Sequence, residues 1–241
     1  MAKERGDGRE GDELRPVKIT RGYLNTAPGA VLIEMGQTRV LCTVSLEDRV
    51  PPFLVGKGGG WLTAEYGMLP GSSDRRIARE SSTGKVNGRT REIQRLIGRS
   101  LRTIIDLASL GERTVYIDCD VIQADGGTRT ASVTGAYVAL VEAVNKLTDE
   151  GVLEQNPLVD AAAAVSVGVV GDRVLLDLCY EEDVRAQTDM NLVMTASGGI
   201  VEIQGTAEVR PFTREEADRM LDMGTKGIKE LLQVQENSLN R

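Results

Sequence analysis

From Leu14 onward, short runs rich in Val, Ile and Leu alternate with turn residues: Val31 to Met35, then Gly36-Gln37, then Arg39 to Val44. Apolar runs of this length on either side of a glycine turn predict a β-hairpin. Between residues 90 and 109 the period changes. Ile93, Leu96, Ile97, Leu101, Ile104 and Ala108 recur at i, i+3, i+4 spacing, which places them on one face of a helix. Val115 to Ile122 reads as a buried strand and Ala131 to Leu147 as a second helix ending before Gly151. Strand patterning returns at Ala162 to Val170, turns at Gly171-Asp172, and continues through Val174 to Leu178, Asn191 to Thr195 and Ile200 to Glu208. A last helix is expected from Thr213 to about Gln235, with Thr213 as N-cap and Glu216 at the capping-box position.

Strands, two helices around a strand, then strands and a helix predict an α+β fold with mixed sheets and flanking helices. Gly36-Gln-Thr-Arg-Val-Leu41 echoes Gly171-Asp-Arg-Val-Leu175, each between two apolar runs, and suits a duplicated ββαβα-type unit. The Gly-rich, charged residues 1 to 13 read as a flexible arm, leaving 14 to 241 as one domain. Val50 to Tyr66, with Pro51-Pro52 and Lys57-Gly-Gly-Gly60 ahead of Trp61, reads as a long mobile loop entering a strand.

Composition removes several chemistries. Among 241 residues there is no histidine, so Ser-His-Asp triads, Cys-His pairs, zincin helices and zinc fingers are excluded. Catalysis must rest on carboxylates, lysine, hydroxyls, thiols, an oxygen-bound metal, or a substrate that brings its own nucleophile. Cys42, Cys119 and Cys179 are odd in number and sit in apolar runs, as buried thiols of a reducing compartment do. No apolar stretch approaches the ~20 residues of a membrane span, and the polar N-terminus lacks a signal sequence's apolar core. A cytoplasmic protein with no membrane partner is therefore expected.

The net charge of −7 hides an uneven distribution. Residues 75 to 102 hold nine basic side chains and two acidic ones, a balance of +7, so the remainder carries −14. Eight of the nine are arginines, whose planar guanidinium grips two oxygens of a phosphate at once. Arg91, Arg95, Arg99 and Arg102 project opposite the apolar helix face, with almost no acidic partner at helical spacing. That pattern points to phosphate or nucleic acid, or to an acidic surface on a neighbouring subunit.

Two further constellations carry candidate chemistry. Gly126-Gly-Thr-Arg-Thr130 lies between a strand and a helix. There, glycines let the backbone approach an anion and the helix N-terminus supplies free N–H groups. It matches neither the P-loop nor the dinucleotide fingerprint, and an ordinary N-cap turn has the same look apart from Arg129. Asp183 and Asp189 flank a short loop at strand ends, as two carboxylates converging on one hard divalent cation would, or as a solvated acidic loop would.

Several motifs together resemble bacterial ribonuclease PH: Asp7-Gly-Arg9, Leu14-Arg-Pro16, Ala64-Glu-Tyr-Gly-Met-Leu-Pro70, Gly88-Arg-Thr-Arg-Glu-Ile-Gln-Arg-Leu-Ile97, Asp118 to Thr130, Thr188-Asp-Met-Asn191 and Val201-Glu-Ile-Gln-Gly-Thr-Ala-Glu208. The resemblance runs in register from about residue 7 to the last helix. It implies the ribonuclease PH-like fold and a phosphate-dependent 3′-to-5′ exoribonuclease that trims transfer-RNA precursors, releases nucleoside 5′-diphosphates and runs in reverse as a nucleotidyltransferase. A non-catalytic RNA-binding ring subunit is the alternative that the wider family offers. Carried over by position, Arg89, Gly127, Thr128 and Arg129 would bind inorganic phosphate, and Asp183 and Asp189 would hold Mg²⁺. RNA would meet Arg75, Arg76, Arg79, Arg95 and Arg99, some of which could instead serve subunit contacts. Relatives form homo-hexamers built as trimers of dimers. One position departs from the pattern: the family often has arginine after Met-Leu-Pro, and here Gly71 stands there.

Overall fold

A computed structural model describes residues 5–240, apart from the side chain of Thr83. Residues 1–4 of the expected arm, and Arg241, lie outside the described residues. The chain runs β1 (Val17–Thr20), β2 (Gly29–Met35), β3 (Thr38–Glu47), β4 (Trp61–Met68), α1 (Glu80–Thr83), α2 (Gly88–Arg102), β5 (Thr114–Gln123) and α3 (Thr128–Asp149). It continues through β6 (Ala162–Val170), β7 (Arg173–Leu176), α4 (Tyr180–Asp183), β8 (Thr188–Thr195), β9 (Ile200–Ala207) and α5 (Arg214–Leu239). The fold is α+β with two sheets, ordered β1-β2-β3-β5-β4 and β7-β6-β8-β9.

Among the described residues only β4 and β5 pair in parallel, and a parallel pair needs a long crossover, supplied here by residues 69–113 with α2. α2 packs its apolar stripe of Ile93, Leu96, Ile97 and Leu101 against β4. α3 is buried over most of its circumference from Thr130 to Val144, because it lies between β2 and β3 of one sheet and β6 of the other. Removing a fully buried side chain there, such as Leu140, to alanine would cost roughly 2–5 kcal/mol. β6 is buried almost throughout, packed by α3 and α5. Where short β7 leaves the β6 edge unpaired, side chains close it: the Thr134 hydroxyl meets both backbone groups of Ala164, and Gln235 donates to the Ala162 carbonyl at 3.0 Å. One contiguous hydrophobic core thus reaches both sheets.

Several expectations change in detail. The helix expected over 90–109 ends at Arg102; Ile104 stays fully buried in the turn that follows, and Ile105 pairs with Leu158 in an isolated antiparallel bridge. The periodicity continued because these residues still face the core. The Gly36 and Gly171 echo is real at the turns, which both adopt left-handed φ between hairpin strands. It does not extend to topology, since the first sheet contains a parallel pair and the second is wholly antiparallel. The loop before Trp61 is tied down by Glu112, which accepts from the Gly56 and Gly58 N–H groups, and Phe53 packs edge-on to Trp61 with ring centroids 5.5 Å apart. Cys42 and Cys119 are buried and face each other across β3 and β5; Cys179 is half-buried, and all three are free thiols. The capping box at Thr213 and Glu216 is present.

From Arg5 on, the segment expected to be a loose arm is fastened to the body. Arg5 is 4% exposed and its guanidinium forks onto Glu182 at 2.6 and 2.7 Å. A Gly-rich charged stretch reads as solvated when its partner carboxylate lies 177 residues away.

Candidate active site

The first half of the site is built on helix termini. β5 delivers the chain to Gly126 and Gly127, which adopt φ of +73° and +63°. A side chain at Gly126 would collide with the backbone of Leu178 to Tyr180, its Cβ lying 2.6 Å from the Leu178 carbonyl oxygen. Gly127 caps α3 without a side chain, so no capping side chain engages the first-turn N–H groups of α3. The first helical residue, Thr128, is buried with its hydroxyl 2.8 Å from the Tyr66 hydroxyl. Arg129 follows: its Nη1 donates to Glu92 at 2.9 Å and to Gln204 at 2.6 Å, while the Gln204 amide donates to Glu92 at 2.6 Å. Arg89 lies in the first turn of α2, whose N-cap Asn87 accepts from the Thr90 N–H. Burial pushes the Tyr66 phenol up, and the Thr128 hydrogen bond with the charges of Arg89 and Arg129 oppose that rise. Those two arginines and Thr128 therefore share one corner.

The second half comes from the other sheet. α4 is a single turn, and Asp183 is its last residue; Asp189 is the second residue of β8. Burial lifts the Asp183 carboxyl above its ordinary range, Arg89 and Arg129 pull it down, and Glu208 adds to the rise. Asp189 is likewise raised by burial first, then by Asp183 and Glu208, against the pull of Arg129. Two carboxylates, Asp183 exposed and Asp189 half-buried, that repel one another thus lie beside two arginines. Among the described residues no third His, Cys, Asp or Glu comes close enough to complete an all-protein metal cage. The donor set is oxygen-only and short of ligands, as suits Mg²⁺, which keeps waters and takes substrate phosphate.

The structure therefore brings together Arg89, Gly127, Thr128, Arg129, Asp183 and Asp189. Arg75, Arg76 and Arg79 lie exposed in the segment after β4, leaving from the strand end that carries Tyr66. Arg95 is exposed on α2, and Arg99 is engaged by Glu202 of β9 at 2.9 Å. Gly71 is exposed with φ outside the left-handed region, and a Cβ there would meet nothing within 4 Å. Tyr66, Glu92, Gln204 and Glu208 were given no role from sequence. Each lies in one of the motifs above, and Glu92 was one of only two acids in the basic segment; the packing of α2 on β4 and against β9 is what brings the two sheets' residues together. Among the described residues no helix is long and apolar enough to cross a membrane.

Residues 13–145 match the 3′ exoribonuclease family, domain 1, and residues 160–227 match the 3′ exoribonuclease family, domain 2. The chain belongs to the 3′ exoribonuclease family. Its site straddles the two matched regions, with Arg89, Thr128 and Arg129 in the first and Asp183, Asp189 and Glu208 in the second. Solved structures of similar fold include a chain of the Archaeoglobus fulgidus exosome with RNA bound to the active site (TM-score 0.82, 22% identity, covering 95% of this chain and 92% of that one). Rice (Oryza sativa) Rrp46 superposes with a TM-score of 0.79 at 21% identity, over 98% of this chain and 100% of that one. A chain of an archaeal exosome core gives 0.76 at 21% identity, over 97% and 91%.

Proposed function

We propose that this family member is a phosphate-dependent 3′-to-5′ exoribonuclease of the bacterial ribonuclease PH kind, trimming transfer-RNA precursors in the cytoplasm. The observation that carries this reading is the meeting of an anion cradle with a carboxylate pair in a chain without histidine. Inorganic phosphate is already a nucleophile and carries its own protons, so no imidazole base is needed.

In this reading Arg89, the Gly127 backbone, Thr128 and Arg129 hold the phosphate in line with the last phosphodiester. Only Nη1 of Arg129 is engaged by Glu92 and Gln204, which leaves Nε and Nη2 to grip phosphate oxygens. A phosphate oxygen forms the new bond to phosphorus, the bond to the 3′ oxygen breaks, and that oxygen leaves with a proton as the new chain end. The product is a nucleoside 5′-diphosphate, and the step reverses without added energy. Asp183 and Asp189 would hold Mg²⁺, which when bound supplies charge neutralisation at the scissile phosphate. Arg75, Arg76, Arg79 and Arg95 would track the RNA backbone. Assembly as a homo-hexamer, a trimer of dimers, belongs to the same reading; the edge strand β9, with exposed Ile200 and Ile203, offers a surface for subunit association.

The deciding experiment is product identity on a transfer-RNA precursor, with and without inorganic phosphate and Mg²⁺. Diphosphates formed only with phosphate bear the reading out. Monophosphates formed without phosphate replace it with a hydrolase. An RNA gel shift without turnover under all conditions replaces it with a non-catalytic ring subunit.

A further inference from the structure

We propose that Arg15 and Arg5, on the N-terminal segment, are positioning residues that fix the phosphate turn and Asp183 relative to each other; this rests on the phosphorolytic reading above. The two halves of the site come from different sheets, and something must set their separation to the fraction of an ångström that in-line transfer needs. Arg15 touches both. Its Nη1 donates to the Asp125 carbonyl at 2.5 Å, immediately before Gly126 and Gly127, and its Nη2 approaches the Gly127 backbone so closely that a Cβ there would lie 2.9 Å away. On its other side, Nε and Nη2 fork onto the two Asp177 carboxylate oxygens at 2.9 and 2.7 Å, and the Arg15 N–H adds a third bond at 2.8 Å. Asp177 is fully buried and holds a left-handed φ of +52°, rare for a residue with a side chain. That bend launches the chain into α4.

Arg5 holds the next link. It forks onto Glu182, the neighbour of Asp183, and donates to the carbonyls of Leu176 and Asp177 at 2.8 and 3.0 Å. Glu182 also accepts the Cys179 N–H at 3.0 Å, and Asp125 accepts the Tyr180 N–H at 3.2 Å. A helix of four residues has no stability of its own, so these bonds decide where α4 and Asp183 sit. Buried ion pairs are poor sources of net stability compared with apolar packing, but their directed bonds specify geometry. The N-terminal segment is therefore a strap with charged teeth: one engages the phosphate turn, the other the carboxylate helix.

The test uses the full chain with Arg15→Lys and, separately, Arg5→Lys, which keep charge but lose the planar fork. Readouts are folding by circular dichroism, KM for phosphate against kcat, and affinity for Mn²⁺, standing in for Mg²⁺, by electron paramagnetic resonance. We expect folded variants with Mn²⁺ affinity and kcat/KM for phosphate each lowered roughly 10–100-fold, as when residues that orient metal ligands are lost. Folded variants with unchanged KM and Mn²⁺ affinity overturn the proposal, as does failure of both variants to fold, which assigns the strap to stability alone. A wild-type chain inactive with phosphate would sink the phosphorolytic reading instead, while the Mn²⁺ titration still reports on the strap.

Discussion

The two halves of the site are held in different ways. The half proposed to hold phosphate sits on long helices: Thr128 and Arg129 begin the 22-residue α3, itself sandwiched in the core, and Arg89 lies in the first turn of the 15-residue α2. Its geometry follows from local chain chemistry, two glycines turning a strand into a helix N-terminus. The carboxylate half sits on one turn of helix and a strand end, and its position depends on arginines more than 160 residues away in sequence. One half is intrinsically rigid and cationic; the other is anionic, strained at Asp177 and rigid only by long-range fastening.

The largest break in this comparison comes from the anionic half. Asp189→Asn, or Asp183→Asn, should lower kcat by roughly 10²–10³-fold or more, read as diphosphate release in phosphate and Mg²⁺. Stability should move the other way. Because burial lifts both carboxyls above their ordinary range, a neutral amide suits the folded state at least as well, and the melting temperature should hold or rise. A variant losing activity and stability together would refute this account of the site. On the cationic side, Arg129→Ala should cost roughly 10²-fold in kcat/KM, expressed chiefly in KM for phosphate, by loss of one charged donor. Glu92 and Gln204 keep their mutual hydrogen bond at 2.6 Å, so the fold should survive.

Titration sharpens the contrast. The folded-state pKa values of Asp183 and Asp189 are raised, so these groups lose the charge that would hold the proposed cation as pH falls through a window above the usual Asp value of 3.8. They bind protons more readily folded than unfolded, so their own contribution to stability grows as pH falls through that window. Glu182 is the reverse. Burial alone would raise it, but the Arg5 hydrogen bonds and the Cys179 N–H hold it below 4.5; its stabilisation is present above that value and is lost only as pH falls through the lowered pKa. Activity should therefore fall as pH drops through that window while circular dichroism still reports native structure. Coincident loss of both signals would contradict it.

The same asymmetry governs what could be read from the chain. The α+β class, the hairpin turns at Gly36 and Gly171, the α5 capping box and the Gly126 to Thr130 turn are local patterns, and they were legible because glycine conformation and helix capping are decided within a few residues. Arg129, Asp183 and Asp189 could be singled out as residue types that suit phosphate and metal, with an N-cap turn and a solvated acidic loop left open beside them, and Arg89 only through the family resemblance. Glu92, Gln204 and Glu208 were not assigned, because their relevance arises only when β9 is laid against β8 and α2 across the gap between sheets. Arg5 was misjudged for a related reason. Composition describes a segment by its neighbours in sequence, and Arg5 is defined by Glu182.

The smallest expected effect lies at the rim, where Gly71 replaces the arginine usual in the resembled family. The backbone there is outside the left-handed region and a Cβ would meet nothing, so Gly71→Arg should fold with stability within about ±0.5 kcal/mol. The new cation would join Arg75, Arg76 and Arg79 on an exposed segment, contributing to RNA affinity but not to the chemistry. One added phosphate contact should steepen the dependence of log affinity on log salt by about one unit and tighten RNA binding several-fold at low salt, leaving KM for phosphate unchanged. Measured by RNA binding across a salt series, an unchanged slope would show that this segment does not run along the RNA path. The basic loop would then belong to subunit contacts, and the cationic half of the site would end at Arg89.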